Sequence, residues 1–167
     1  MFRDVATIVS TLLAAGALTV SIAAFRGQRR REDFELARSL HEDLTSGEVA
    51  QARDRLGNLV RSKGSLDPDQ KRQAMTAYFT LLWCFERIDI GRRTLATSPS
   101  KRALHFLINS IRWHVEEWEK MLPEVRRRLA DGSKEPDDGD STKALGQLVE
   151  AVRDVPAVDT SQASGRG

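Results

Sequence analysis

An uncharged apolar run near the N-terminus constrains the fold of this chain more than any other feature. Residues 5–25, VATIVSTLLAAGALTVSIAAF, contain no charged residue and no proline. As an α-helix this run is about 31 Å long, because each residue adds about 1.5 Å, and the hydrocarbon core of a bilayer is about 30 Å thick. The sequence therefore predicts a transmembrane helix within an anchor that spans residues 1–27.

Basic residues follow this run directly and predict its orientation. They are Arg26, Arg29, Arg30 and Arg31. Basic residues beside a span stay on the cytoplasmic side, so we expect a single-pass protein of the cell membrane with its N-terminus outside and its C-terminus in the cytoplasm. At the depth of anionic headgroups, each arginine contributes about 1 kcal/mol to membrane binding. The expected partner of this membrane-surface basic cluster is therefore anionic lipid.

Two other interpretations of the apolar run stay open. The first is a cleaved signal peptide, since small pairs such as Ala15 with Ala17 resemble a cleavage site, although the run is longer than a signal sequence requires. The second is a buried helix of a soluble protein. The arginines after the run oppose export of the chain that follows them, so we prefer the transmembrane interpretation.

Small residues form a stripe on one face of the predicted span. Ser10, Ala14, Ala17 and Ser21 recur at spacings of three and four, which lets two helices approach closely in lipid. These residues are candidates for packing in a homo-oligomer. Because more than half of the run is Ala, Gly, Ser or Thr, such a stripe also arises from composition alone.

The remainder of the chain predicts an all-α protein. Apolar residues recur at helical spacing from Phe34 onward, and no alternating apolar run suggests a sheet. The expected fold is one N-terminal transmembrane helix followed by a cytoplasmic antiparallel bundle of about four helices, a short C-terminal helix and a tail. The expected segments are the bundle at 28–130, an acidic flexible linker at 131–142, a short amphipathic helix at 143–155 and a disordered tail at 156–167.

Local signals predict where the first bundle helices begin. The helix of the span is expected to continue through residues 28–45. Thr45 and Glu48 have the spacing of a capping box, which predicts the start of a second helix after them. Asp67 followed by Pro68 is a good N-cap and first-turn pair, and predicts the start of a third.

The third and fourth helices are expected to differ in how they are covered. The third, ending near Ile88, is apolar nearly all round, which predicts that it lies covered at the centre of the bundle. Ser98 and Pro99 predict the start of a fourth helix with a clear amphipathic pattern. Pro123 is expected to kink or break that helix, because proline removes a hydrogen-bond donor and crowds the preceding turn.

No catalytic or metal-binding pattern occurs in the sequence. His41 and Glu42 lack the second histidine that a zinc-binding helix places four residues after the first, and the glycine motifs that bind phosphate are absent. Cys84 lies among aromatic residues, which is typical of a packed thiol. We therefore expect a protein that is not an enzyme and uses no cofactor or metal. With a net charge of +2, nucleic acid is not an expected partner.

Two aromatic residues of the fourth helix lie off its main apolar stripe. Phe106 and Trp113 are seven residues apart, so they share a second face. Either another helix of the bundle or a partner chain must cover that face, and we treat both residues as candidates for contact with an unknown protein partner. The basic groups at 92–93 and 126–128 are expected to be solvated helix ends.

Three stretches carry a resemblance to a known family. They are LTSGEVAQARDRL at 44–56, YFTLLWCFERIDIG at 78–91 and IRWHVEEWEKMLPEVRRRL at 111–129. With the apolar run and the basic stretch before them, they resemble a bacterial family of small single-span proteins known only as a domain of unknown function, over about residues 5–130. The resemblance implies a membrane-anchored helical domain without an assigned activity, and it therefore supplies no functional residues.

Two functions are compatible with these expectations. The first is a membrane-anchored interaction or scaffold module on the cytoplasmic face. The second is a small membrane effector, of the kind used in stress responses or phage defence, that oligomerises through its transmembrane helix. Toxicity on overexpression that depends on residues 5–25 distinguishes the second from the first.

Overall fold

The computed structural model describes residues 2–62, 64–99, 101–130 and 136–155, with side chains from residue 16 onward. These residues form helices only, which confirms the predicted all-α class and a helical bundle. The helices are α1 (Phe2–Thr45), α2 (Gly47–Arg61), α3 (Pro68–Thr97), α4 (Lys101–Leu129) and α5 (Gly139–Asp154).

The transmembrane helix predicted for residues 5–25 is not confirmed. Among the described residues, no helix combines the length and the apolar character that a membrane crossing requires. Only residues 16–25 of the predicted span belong to the part with described side chains, and ten residues of helix extend about 15 Å, half of a hydrocarbon core. The span therefore stays a prediction.

Helix α1 has two parts with different surroundings. Every described side chain from residue 16 to residue 32 is exposed, whereas Ala37, Leu40 and Leu44 are buried in the bundle. The helix runs without interruption through Gly27, so the predicted continuation of helix through 28–45 is confirmed. The exposed front of α1, residues 16–32, and its packed rear, from Ala37 to Thr45, are therefore one continuous helix.

Helix α3 lies at the centre of the bundle, as predicted. It contacts α1, α2, α4 and α5, and its side chains Tyr78, Phe85 and Ile88 are buried almost completely. Part of its apolar surface is nevertheless uncovered, because Trp83 and Ile90 are 59% and 63% exposed. The helix also continues nine residues beyond its predicted end.

Polar contacts between helices establish the directions in which they run. Asp43 of α1 pairs with Arg87 of α3 at 2.6 Å, and the hydroxyl of Ser98, which directly follows α3, donates a hydrogen bond to Asp33 of α1. Later residues of α3 therefore meet earlier residues of α1, which is the predicted antiparallel arrangement. Helix α5 is antiparallel to α4 in the same way, since Arg153 pairs with Glu119 at 2.8 Å and Arg126 with Asp138 at 3.3 Å.

Two of the predicted helix starts differ from the structure. Helix α3 begins as predicted: the side chain of Asp67 accepts from the backbone N–H of Gln70 at 2.8 Å, in a capping box. The predicted capping box of Thr45 and Glu48 is wrong, because Thr45 ends α1 and its hydroxyl donates to the carbonyl of His41. The start of α2 instead uses Gly47, whose φ of +59° favours glycine.

The predicted N-cap role of Ser98 is also wrong. Its backbone N–H donates to the carbonyl of Leu95, so Ser98 ends α3 and does not begin α4. Helix α4 continues through Pro123 to Leu129, so the predicted break does not occur. The proline costs about 3 kcal/mol in a helix interior, and the burial of Val125 and Leu129 beyond it offsets that cost.

Helix α5 packs against both α3 and α4. Its inner face is fully apolar apart from Ser141, and consists of Ala144, Leu145, Leu148, Val149 and Val152. Residues 139–142, which were expected in the flexible linker, form the first turn of this helix. Of the other linker residues, 136–138 are described, and Asp138 is 5% exposed and accepts a hydrogen bond from Tyr78, so this end of the linker is packed. Residues 131–135 and the expected tail at 156–167 lie outside the described residues.

The expectation that the basic groups at 92–93 and 126–128 are solvated holds for Arg93 and Arg127, which are 58% and 71% exposed, but not for Arg128, which is 12% exposed. The guanidinium of Arg128 donates to the carbonyls of Leu59, Ser62 and Gly64, and thereby satisfies the C-terminal end of α2. Arg92 pairs at 2.7 Å with Asp89, which is 1% exposed and also receives a hydrogen bond from Arg93. These basic residues are therefore matched within the fold.

Candidate functional site

The front of α1 carries large apolar side chains that no described part of the bundle covers. Leu18, Val20, Ile22 and Phe25 are 62%, 69%, 43% and 63% exposed. Apolar residues that recur along one helix and stay exposed mark a surface that another environment covers. This surface ends where the predicted headgroup arginines begin.

The four predicted headgroup arginines are all exposed. Within the described residues, none of Arg26, Arg29, Arg30 and Arg31 lies within ion-pair distance of a carboxylate. The nearest acidic side chain in sequence, Glu32, accepts a hydrogen bond from Gln28 at 2.9 Å. Four positive charges are therefore presented to solvent on one or two turns of helix.

A cleft of about 880 Å³ lies between the front of α1 and the connection from α3 to α4. Its wall includes apolar, basic and polar side chains. The apolar ones are Ile22, Phe25, Phe34 and Pro99, the basic ones are Arg26, Arg29, Arg30, Lys101 and Arg102, and the polar ones are Ser21, Asp33 and Ser98. Three of the four predicted arginines line this cleft, and Arg31 does not.

Two contacts fix the floor of the cleft. The hydroxyl of Ser98 donates to the carboxylate of Asp33, and thereby joins the end of α3 to α1. The ring of Phe34 packs against that of Phe106 on α4, with 6.2 Å between the ring centroids. The ammonium of Lys101 also donates to the carbonyl of Ala96, so the last turn of α3 and the first turn of α4 are tied together. The cleft therefore has a defined shape where α1 leaves the bundle.

The two candidate partner-facing aromatics occupy different environments. Phe106 is 41% exposed and contacts Phe34, so α1 covers part of it. Trp113 is 60% exposed and its ring stacks edge-on against its neighbour His114, with 4.8 Å between the centroids. Contact of either residue with a partner chain stays a prediction.

The candidate packing residues of the span are described only in part. Ala17 and Ser21 are exposed on α1, and the hydroxyl of Ser21 donates to the carbonyl of Ala17 at 2.9 Å. That bond satisfies the hydroxyl donor of Ser21. The side chains of Ser10 and Ala14 lie outside the described part of the chain. Self-association through this face stays a prediction.

A second groove, of about 710 Å³, runs along α3 and was not predicted. Its apolar wall is formed by Leu66, Met75, Phe79 and Trp83, beside Lys71 and Arg72. The rings of Phe79 and Trp83 pack together with 6.2 Å between their centroids. Because α3 meets α1 in antiparallel register, this groove lies at the end of the bundle away from the front of α1. A helix that is apolar all round gives no periodic signal that would identify its exposed face.

Two partly or fully buried titratable groups, Cys84 and His114, have clearly shifted pKa values. Burial, together with the charge of Asp43, raises the pKa of the Cys84 thiol to about 11, so it stays protonated and unreactive at neutral pH. Burial and the positive charge of Arg53 lower the pKa of His114 to about 4. Among the described residues, no group of three or more His, Cys, Asp or Glu side chains is placed to hold a metal ion.

No family model, no curated protein and no solved structure matches this chain. The resemblance to a bacterial single-span family therefore stays a prediction from the sequence. What the protein does must be argued from its own geometry, above all from the front of α1 and the cleft at its base.

Proposed function

We propose that this protein is a single-pass membrane protein whose front helix lies in the bilayer and whose helical bundle is held at the cytoplasmic surface as a non-enzymatic interaction module. One observation carries the proposal. Exposed apolar side chains from Leu18 to Phe25 end at arginines without a described carboxylate partner, on a helix that continues into the bundle core. That order is the one a helix needs to pass from hydrocarbon to headgroups to water.

Lipid supplies the cover that the front of α1 lacks. Moving a Leu, Val, Ile or Phe side chain out of water contributes about 1.5–3 kcal/mol, and four such residues are exposed here. The arginines that follow are attracted to anionic headgroups of the inner leaflet at about 1 kcal/mol each. Both contributions favour the same placement of the helix and the same orientation of the chain.

The continuity of α1 fixes how the bundle is presented. Phe25, at the end of the apolar segment, and Ala37, in the core, are twelve residues apart on one helix, or about 18 Å. No loop separates them, so the bundle is held close to the membrane in one orientation. The groove along α3, which includes the exposed Trp83, then lies at the end of the bundle that is away from the bilayer. A protein partner has access to it there.

Membrane fractionation tests this proposal. The full-length chain is expected in the membrane pellet after an alkaline wash, with a C-terminal tag accessible from the cytoplasm. Arginine near the middle of a span costs about 3 kcal/mol, so Leu18→Arg with Val20→Arg should move most of the protein to the soluble fraction. The matched control, Gln51→Arg with Gln73→Arg at exposed bundle positions, should stay in the pellet. Full-length, unprocessed wild-type protein in the soluble fraction contradicts the proposal.

A second candidate function is a membrane effector that assembles through α1. The observation that favours it is that Ala17 and Ser21 are exposed on α1, with the hydroxyl of Ser21 bonded to the carbonyl of Ala17. In that case overexpression is toxic, and Ala17→Leu with Ser21→Leu removes the toxicity by blocking close helix approach. Membrane localisation without toxicity favours the interaction module.

A further inference from the structure

We infer that the cleft at the base of the front of α1 is a binding site for one anionic phospholipid. Its phosphate lies among the basic side chains of α1 and α4, and its acyl chains follow Ile22 and Phe25. This inference rests on the proposed function, because the lipid reaches the cleft only if the front of α1 lies in the bilayer. It goes further by naming the ligand and by adding residues from a second helix.

The charge of the cleft selects an anion. Five cationic side chains line it, with Asp33 as the single carboxylate. Arg29 and Arg30 precede Asp33 by four and three residues, which is the spacing of helical ion pairs. Among the described residues neither pairs with it, whereas Ser98 donates a hydrogen bond to Asp33. The carboxylate is engaged at the floor, and the two guanidiniums are left for a ligand.

The cations come from two helices that approach from different sides. Arg26, Arg29 and Arg30 lie on one face of α1, since they are three and four residues apart, while Lys101 and Arg102 belong to the first turn of α4. A phosphate between them receives donors from both helices, and guanidinium groups bind phosphate oxygens with paired N–H donors. A flat basic stretch next to a span would attract headgroups without holding one.

The apolar wall selects an amphiphile over a soluble anion or a nucleic acid. Ile22 and Phe25 lie on the turns of α1 just before the arginines and are 43% and 63% exposed. An acyl chain covers them, whereas a nucleic acid or a free phosphate leaves them in water. The volume of about 880 Å³ is within the range of sites for small molecules, about 300–1,000 Å³.

The test measures lipid binding to the full-length chain in a neutral detergent. Native mass spectrometry and titration with phosphatidylglycerol are expected to give one bound lipid per chain. Phosphatidylcholine should bind about tenfold or more weakly, because its headgroup carries no net charge. Lys101→Gln with Arg102→Gln should weaken phosphatidylglycerol binding about thirtyfold, or about 2 kcal/mol for two contacts. Arg31→Gln is the matched control, since Arg31 belongs to the same basic cluster and does not line the cleft.

Three outcomes overturn the inference. One is an equal loss in the Arg31→Gln control, which indicates general surface attraction. Another is unchanged binding in the Lys101→Gln, Arg102→Gln variant. The third is binding of soluble glycerol phosphate as tight as that of the lipid, which indicates a free phosphate ligand. If the Lys101→Gln, Arg102→Gln variant fails to fold, Arg29→Gln with Arg30→Gln on the exposed part of α1 gives the same comparison.

The two proposals fail in different ways. The Lys101→Gln, Arg102→Gln variant should still reside in the membrane pellet, because the apolar run anchors the chain without the cleft. A soluble wild-type chain contradicts the proposed function, whereas a membrane-bound chain that does not distinguish the two lipids contradicts only the phospholipid site.

Discussion

The front of α1 and the bundle both contain large apolar side chains and arginines, but the two regions differ in how these side chains are covered and bonded. In the bundle, Leu56 and Phe85 are buried completely, and Arg128 donates to three carbonyls of the α2 end. In the front of α1, Leu18 is mostly exposed and Arg29 has no described carboxylate partner. These groups of the bundle are covered or paired within the fold, whereas no described residue covers Leu18 or forms an ion pair with Arg29.

If the proposed function holds, folding and membrane attachment depend on different residues. Removing an apolar or charged group from the bundle should cost stability without affecting where the protein resides. Removing one from the front of α1 should do the opposite. Substitutions in one region, with both stability and membrane association measured, therefore test this difference.

The largest effect on stability is expected from Phe85→Ala. Phe85 is fully buried at the centre of α3, and such a truncation costs about 3–5 kcal/mol through lost burial and a cavity. Trp83→Ala is the matched control two residues away, because Trp83 is 59% exposed and should cost less than about 1 kcal/mol. Denaturant unfolding of the full-length chain measures both. Equal losses, or a loss of Phe85→Ala from the membrane fraction, would break the comparison.

The sequence predicts the helices well where one local signal decides them. Asp67 with Pro68 places the start of α3, and the buried stripe from Leu107 to Val115 follows the amphipathic pattern of α4. It predicts helix ends poorly where a distant contact decides them. Ser98 ends α3, and its hydroxyl bonds to Asp33, 65 residues earlier in the chain.

The residues of the candidate site also differ in whether a local sequence signal identifies them. The arginines at 26–31 are recognisable because they follow an apolar run without interruption. Lys101 and Arg102 line the same cleft only because α3 returns antiparallel along α1, and no local pattern predicts that arrangement. Trp83 was missed for a related reason: when every face of a helix is apolar, the exposed face depends on how its neighbours pack.

An intermediate effect is expected from Asp89→Asn. Asp89 is 1% exposed and pairs with Arg92 at 2.7 Å, while Arg93 donates to its other oxygen. Loss of the charge leaves two guanidiniums facing a neutral amide, and should lower the free energy of unfolding by about 2 kcal/mol, less than for a fully buried pair because both arginines retain some water. Asp69→Asn is the control on the same helix, since its pair with Arg72 is fully exposed and should contribute under about 0.5 kcal/mol. A loss from Asp89→Asn no larger than from Asp69→Asn would show that internal matching of charge does not stabilise the bundle.

The smallest effect on stability is expected at His114, a buried polar group of the bundle without a described hydrogen-bond partner at Nδ1. The Nδ1 atom of His114 and the Nε atom of Arg53 are buried without a hydrogen-bond partner among the described residues. Burial, then the charges of Arg53 and His41, lower the pKa of His114 from 6.5 to about 4. Well above pH 6.5 the ring is neutral in both the folded and the unfolded chain, so its full contribution to stability is present there.

As the pH falls from 6.5 toward 4, the unfolded chain binds a proton at this histidine and the folded chain does not, so the free energy of unfolding decreases. The ring is half-buried, and solvent reduces the effect to about 1 kcal/mol. Denaturant unfolding at pH 7.5, 6 and 5 should therefore show a loss in the wild-type chain that His114→Gln reduces by about that amount. His105→Gln, at an exposed position of the same helix, should leave the wild-type pH dependence in place. If His114→Gln changes nothing, the protonation of this ring does not couple to folding, and the bundle is as well matched there as elsewhere.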